Sequence, residues 1–296
     1  MAYLGASCKP TKNIGLPDKK FATTSVDSSN WEICSGLPLA DNAYNIWSDG
    51  TNIYYSSNGK NKVLNGNTWE DKAWEGLTTF YGRYVWTDGT NIYYSYFDNV
   101  NVKDNQYILD GNTWVAKDWG DLFPRYGEDI WTDGTNIYYS HDANQYILDG
   151  NTWVAKDWGD AYPRWGGNIW TDGTNIYYSQ GTGGQLVLNE GVWQSKTWNN
   201  RTGYIDGSLI WSDGTNIYST SYSDSTPYRL NGNTWEKSAI AGLSAPYGNR
   251  MWTDGKNIYY YESSYGKHRV LLTSDSKLYT KGSSAWSEIA SLAGGV

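Results

Sequence analysis

Apolar and polar positions alternate along this chain in short bursts, each too brief for a helix. "WTDGTNIYYS" stands at 131–140 and again, letter for letter, at 170–179, with close variants starting at 47, 86, 211 and 252. Aromatic and β-branched residues lie on both sides of an Asp-Gly pair. That pattern predicts a strand, a tight turn and a strand, because the Gly supplies the positive φ that a tight hairpin needs. A second burst, "QYILDGNTWVAKDW", repeats the plan around another Asp-Gly. No stretch has a sustained helical period with caps, so almost no helix is expected.

The bursts form a repeat. The Trp of W-[ST]-D-G recurs as Trp47, Trp86, Trp131, Trp170, Trp211 and Trp252, and a second Trp follows each as Trp69, Trp114, Trp153, Trp193, Trp235 and Trp286. Four short strands in about 40 residues is the period of a propeller blade. The chain therefore reads as an all-β, six-bladed β-propeller with four antiparallel strands per blade. The stretch "FATTSVDSSNWEIC" (21–34) resembles one more second-type hairpin. This N-terminal hairpin is expected to help close the ring against the last blade, where it would cover exposed strand edges. Seven blades is the alternative. Residues 1–20 read as an irregular arm and 21–296 as one propeller domain.

The repeat resembles the Kelch repeat. A strand ends near "IY", and a Tyr stands seven residues before a Trp at Tyr107, Tyr146, Tyr228 and Tyr279. Pro124-Arg125 and Pro163-Arg164 occupy the place of the family's Pro and Arg after the last strand. The resemblance runs from about Trp31 onward. It departs from the family at the paired glycines after the second strand, where this chain has Tyr-Ser, as at Tyr139-Ser140. The resemblance implies a Kelch-like propeller. Propellers of this plain Asn-Tyr-Trp style also resemble those of bacteriophage and phage-like tails, which would imply a tail-tip or receptor-binding part.

Two ends of each blade differ in variability. The turns "TDGTN" and "DGN" barely change, whereas the second-to-third-strand loops run "SNGKNK", "YFDNVNVKDN", "HDAN", "QGTGG", "TSYSDSTP" and "ESSYGKH". In a four-stranded blade these loops share one face with the blade-to-blade links. Binding residues tend to sit on loops held by a rigid scaffold, so the site is expected there. The links repeat an aromatic residue, a Gly and a nearby Arg. They give the candidate ligand-binding residues Tyr81, Arg83, Arg125, Tyr126, Arg164, Trp165, Arg201, Tyr247 and Arg250, with His141 from a loop. Aromatic faces suit the C–H faces of sugars, and Arg forks suit acidic oxygens. The same residues would equally serve to pack blade on blade, and the arginines could pair with Asp121 or Asp160. The anchor Trp and the Tyr pairs read as core.

Composition narrows the function. The net charge of −8 disfavours nucleic acid and anionic membranes, and no apolar run is long enough to span a bilayer. The N-terminus lacks the form of a signal peptide, so synthesis in the cytoplasm is expected, with a place in the virion tail if the phage resemblance holds. Cys8 and Cys34 could pair. With only His141 and His268, no zinc site or Ser-His-Asp triad takes shape, and no Gly-rich phosphate loop opens a helix. No cofactor and no metal are expected. Asp118, Asp121, Asp157 and Asp160 leave a polysaccharide-cleaving propeller as a minor alternative, but they are duplicated between blades, and a catalytic pair needs two unlike environments. The reading is a non-enzymatic binding propeller that recognises host surface polysaccharide or a protein receptor, with its N-terminal arm docking to other tail or baseplate proteins. A cytosolic Kelch-type protein-interaction adaptor is the alternative.

Overall fold

Each Asp-Gly turn is held by its own aspartate. Asp133 Oδ1 accepts the backbone N–H groups of Thr135 (2.8 Å) and Asn136 (2.7 Å). Its Oδ2 accepts the Asn136 amide (3.1 Å) and the Tyr138 hydroxyl (2.9 Å). The same bonds form around Asp49, Asp88 and Asp172. Gly134 takes φ 93°, which a side chain would resist. The letters T-D-G-T-N-I-Y are thus one hydrogen-bonded unit, and its hairpin is fixed locally.

The computed structural model describes residues 31–34, 46–49, 51–57, 59–65, 68–77, 79–180, 184–200, 205–212, 216–220, 227–238, 251–253, 258–262 and 267–271. They form a β-propeller. The third blade shows the plan: Ile130–Thr132, Ile137–His141, Asn144–Asp149 and Thr152–Ala155 pair in sequence order, all antiparallel. Blades of the same build occupy 46–71, 85–116, 169–195 and 210–237. The six-bladed count expected from the sequence, and the seven-bladed alternative, are therefore corrected. Five blades are each built of four consecutive strands, and no other sheet among the described residues is built that way. The remaining sheet is composite. Its strands Met251–Thr253, Ile258–Glu262 and Lys267–Leu271 are completed by Trp31–Cys34 from the other end of the chain, in register Trp31↔Leu271. The expected N-terminal hairpin is a single strand among the described residues. The second Trp of the last repeat (Trp286) and the preceding Tyr279 lie outside the described residues, as do residues 21–30 of the expected hairpin and the arm 1–20.

The core lies between blades. Trp131, Tyr138, Trp158, Ile169, Tyr178 and Trp193 bury together across the third and fourth blades. Trp131 is 0% exposed and stacks on Tyr138 at 4.4 Å and on Trp158 at 5.8 Å. Equivalent clusters centre on Trp47, Trp86 and Trp170. Both tyrosines of the pairs at 54–55, 93–94, 138–139 and 177–178 are buried, since a blade has a neighbour on either side: Tyr138 packs in the layer shared with the fourth blade and Tyr139 in the layer shared with the second. Burying one such ring contributes about 1.5–3 kcal/mol, and each well-placed aromatic pair about 0.5–1.5 kcal/mol more.

The Tyr-Ser departure from paired glycines has a use. The buried Ser140 hydroxyl accepts the Trp131 indole N–H at 2.9 Å, and Ser56, Ser95 and Ser179 do the same for their anchors. Ser95 and Ser179 pass the chain on to Gln106 and Gln185, which donate to the carbonyls of Pro124 and Ile205 in the following links. The buried polar atoms of the anchor are thereby satisfied.

The links hold the centre. Before the second to fifth blades the link ends in a one-turn 3-10 segment: Gly82–Tyr84, Gly127–Asp129, Gly166–Asn168 and Gly207–Leu209. A Cβ on Gly166 would lie 1.9 Å from the Asp129 carbonyl oxygen, and one on Gly127 would lie 2.0 Å from that of Tyr84. The recurrent Gly is what allows successive links to stack backbone on backbone.

Candidate functional site

Strand direction and local pairing place the candidate residues at one end of the propeller. The link residues Tyr126 and Trp165 form antiparallel bridges with Tyr96 and His141, at the ends of second strands. Links and second-to-third-strand turns therefore share one face, and the Asp-Gly turns stand at the other.

On the shared face the second, third and fourth blades carry a continuous aromatic and charged ridge. Tyr96 lies 4.6 Å from Tyr84 and 5.6 Å from Tyr81, ring centre to ring centre. Arg83 donates to the Tyr84 hydroxyl, lies over its ring and stands 3.8 Å from Glu128. The Arg125 guanidinium covers Phe97 at 4.7 Å and lies 3.7 Å from Asp104. Tyr126 is 4.7 Å from the His141 ring, and Trp165 meets that ring edge-on at 4.6 Å. Beneath it His141 Nδ1 and Asp129 Oδ2 are 2.7 Å apart, and Asp129 Oδ1 accepts the Gly167 N–H at 3.0 Å. Asp129 is buried, so this pair ties the third blade to the link of the fourth. Burial raises the Tyr84 hydroxyl, with Glu128 adding to the shift, and burial raises the Tyr139 hydroxyl, with Asp129 adding. Tyr178 is pushed up to about 12, chiefly by burial. These hydroxyls stay protonated: that of Tyr84 accepts from Arg83, and that of Tyr178 donates to Gln180 Oε1 at 2.7 Å.

Of the residues singled out from the sequence, Tyr81, Arg83, Arg125, Tyr126, Arg164, Trp165 and His141 come together on this ridge. Arg201, Tyr247 and Arg250 lie outside the described residues. The packing role and the surface role both hold for the aromatics: Tyr81, Tyr126 and Trp165 are half-buried against their neighbours. Arg125 and Arg164 occupy the same place in the repeat but differ. Arg125 has Phe97 and Asp104. Arg164 is exposed, its carbonyl held by the Asp142 N–H at 2.7 Å, and the described residues show it no ion pair. Among the described residues no ion pair joins an arginine to Asp121 or Asp160, and Arg125 stands near Asp104. Asp118 and Asp157 each hold a turn glycine N–H at 2.8 Å.

Sequence reasoning passed over Tyr84, Glu128 and Asp129, and it took in Tyr96, Phe97 and Asp104 only as part of the variable loop 96–105. A signal was present for Glu128 and Asp129, which fill places held by Arg83-Tyr84 and Gly167-Asn168 in neighbouring links. Among the described residues no group of three His, Cys, Asp or Glu side chains could hold a metal ion, and no helix is long and apolar enough to cross a membrane.

No protein-family model matches the chain, and no curated protein matches it. Several solved structures are similar in fold. The extracellular domain of a putative hybrid two-component system from B. thetaiotaomicron is 11% identical, with a TM-score of 0.46 over 76% of this chain and 39% of that one. The WD40 β-propeller domain of Doa1 is 8% identical, with a TM-score of 0.42 over 85% of this chain and 100% of that one. An auxiliary nutrient binding protein from Bacteroides ovatus is 13% identical, with a TM-score of 0.43 over 83% and 74%. The chain thus spans well under half the length of the first of these.

Proposed function

We propose that the chain is a non-enzymatic binding propeller that grips a protein partner with the loop face of its second, third and fourth blades, as a Kelch-type interaction adaptor would. The carrying observation is the ridge from Tyr81 to Trp165. Its rings are already packed against one another, as with Tyr84 on Tyr96 and Tyr126 on His141. Such rings present rigid edges and hydroxyls rather than open faces for sugar stacking. Tyr, Trp and Arg held in place are the residue types that dominate protein interfaces, because they add contact area at little entropic cost.

The glycan-binding or tail-tip reading has one observation in its favour: exposed Arg164 beside half-buried Trp165 could take an acidic sugar. A photo-crosslinking amino acid at Phe97 or Trp165, and separately at Thr135 or Thr174, separates the readings in extract of the producing cells. The expected result is one protein adduct from the first pair and none from the second, with no signal from the unmodified chain on a glycan array. Array binding that Trp165→Ala abolishes, with no protein adduct, would overturn the adaptor reading in favour of the glycan one.

A further inference from the structure

The second blade carries a projection that the third blade, with its shorter hairpin, does not share. Its second and third strands, Ile92–Asp98 and Lys103–Asp110, run longer than Ile137–His141 and Asn144–Asp149 in the third blade. Pairing continues outward through Tyr96↔Asn105, Phe97↔Asp104 and Asp98↔Lys103. The end is an ordered turn: Asp98 accepts the N–H groups of Val100 (2.9 Å) and Asn101 (3.2 Å) and the Asn101 amide (2.6 Å). At this tip Val100 is 89% exposed and Val102 is 77% exposed.

Neither valine helps the fold. Both face solvent, and Val102 sits at φ 49°, a left-handed conformation that a β-branched residue resists. The shorter turn of the third blade places Asp142 (φ 52°) in that region, a residue type that tolerates it. Asn or Gly at 102 would relieve strain and remove an exposed apolar group at once. A strained, exposed, apolar residue on an organised turn points to a contact made outside the molecule.

We propose that this hairpin is a docking finger whose two valines insert into an apolar socket on the protein partner. This rests on the protein-binding reading above. The finger is continuous with that surface, since Phe97 and Asp104 at its base hold Arg125. A second copy of the chain is the poorer occupant. Two valine side chains supply only a small part of the roughly 1,200–2,000 Å² that a stable flat interface buries, so a concave partner is needed to use them. A membrane is poorer still: the chain carries a net charge of −8, and the Asp98 carboxylate at the tip is occupied by its turn.

The test uses the full chain and the protein trapped through position 97, purified. Val100→Ser with Val102→Asn should weaken that complex at least tenfold, while the melting temperature stays level or rises because Val102→Asn relieves strain. Unchanged affinity would overturn the finger and leave the protein-binding face standing. Failure to trap any protein at position 97 would overturn both. Concentration-dependent dimerisation that the two substitutions abolish, or binding to phosphatidylethanolamine–phosphatidylglycerol vesicles that they abolish, would also overturn the proposal. A fall in melting temperature would contradict the assignment of strain to Val102.

Discussion

The two ends of the third blade are built on opposite rules. At one end Asp133 meets Thr135, Asn136 and Tyr138 in the same bonds that Asp49, Asp88 and Asp172 make in their blades. At the other end His141 pairs with Asp129 and is flanked by Tyr126 and Trp165, an arrangement that no other described blade reproduces. Repetition marks what every blade needs to fold. The unrepeated end is released from that need and is free to carry recognition. The contrast is sharpest between Arg125 and Arg164, which share a Pro-Arg-aromatic-Gly motif yet differ in surroundings, because Phe97 and Asp104 belong to the longer hairpin of the second blade.

Substitutions can break this contrast in a graded way. The largest loss is expected from Trp131→Ala, which removes a fully buried ring and its bond to Ser140 from between two blades. Chemical denaturation should show about 3–5 kcal/mol of destabilisation. Gly166→Ala comes next, since its Cβ would meet a backbone oxygen that cannot swing aside. About 1–3 kcal/mol is expected, with the same change at Gly134 costing less through its φ alone.

The turn aspartates also give a pH signature. Burial pushes the carboxyls of Asp49, Asp88, Asp133 and Asp172 up, but their hydrogen bonds outweigh it, and each ends below the usual carboxylate range. A carboxyl depressed in the folded state adds stability that is present above its unfolded value of about 3.9 and is lost as pH falls through the folded one. Thermal melts should therefore fall in acid below about pH 4, and the slope should shrink when Asp133 and Asp172 are both changed to Asn. The smallest effect is expected from Arg125→Ala and Arg164→Ala. An exposed pair at 3.7 Å contributes at most about 1 kcal/mol, so Arg125→Ala should shift the melt slightly and Arg164→Ala should not shift it measurably.

Much of the scaffold was legible from the letters alone. The hairpins, the blade period, the buried anchors and the sorting of turns and loops to opposite faces all follow from local pattern, and the Asp-Gly turns are closed by residues within five positions of the aspartate. What lay between repeats was less legible. The equivalence of six anchors suggested six like blades, whereas five are contiguous and the remaining sheet takes Trp31–Cys34 from the other end of the chain, the end from which the stretch 21–34 was expected to close the ring. The ridge was half legible. Its link residues stood out by repetition, but Asp129 and Phe97 acquire partners only when neighbouring blades pack.

The central claim, that recognition lies on the loop face and scaffold on the turn face, is tested most directly by steric blocking. In a chain with Cys8 and Cys34 replaced by serine, a single cysteine at Asn144 or at Thr135 is coupled to a bulky maleimide, and binding of the protein trapped through position 97 is measured. The account predicts that the adduct at 144 abolishes binding and that the adduct at 135 leaves it intact. Loss at 135 with retention at 144 would contradict it.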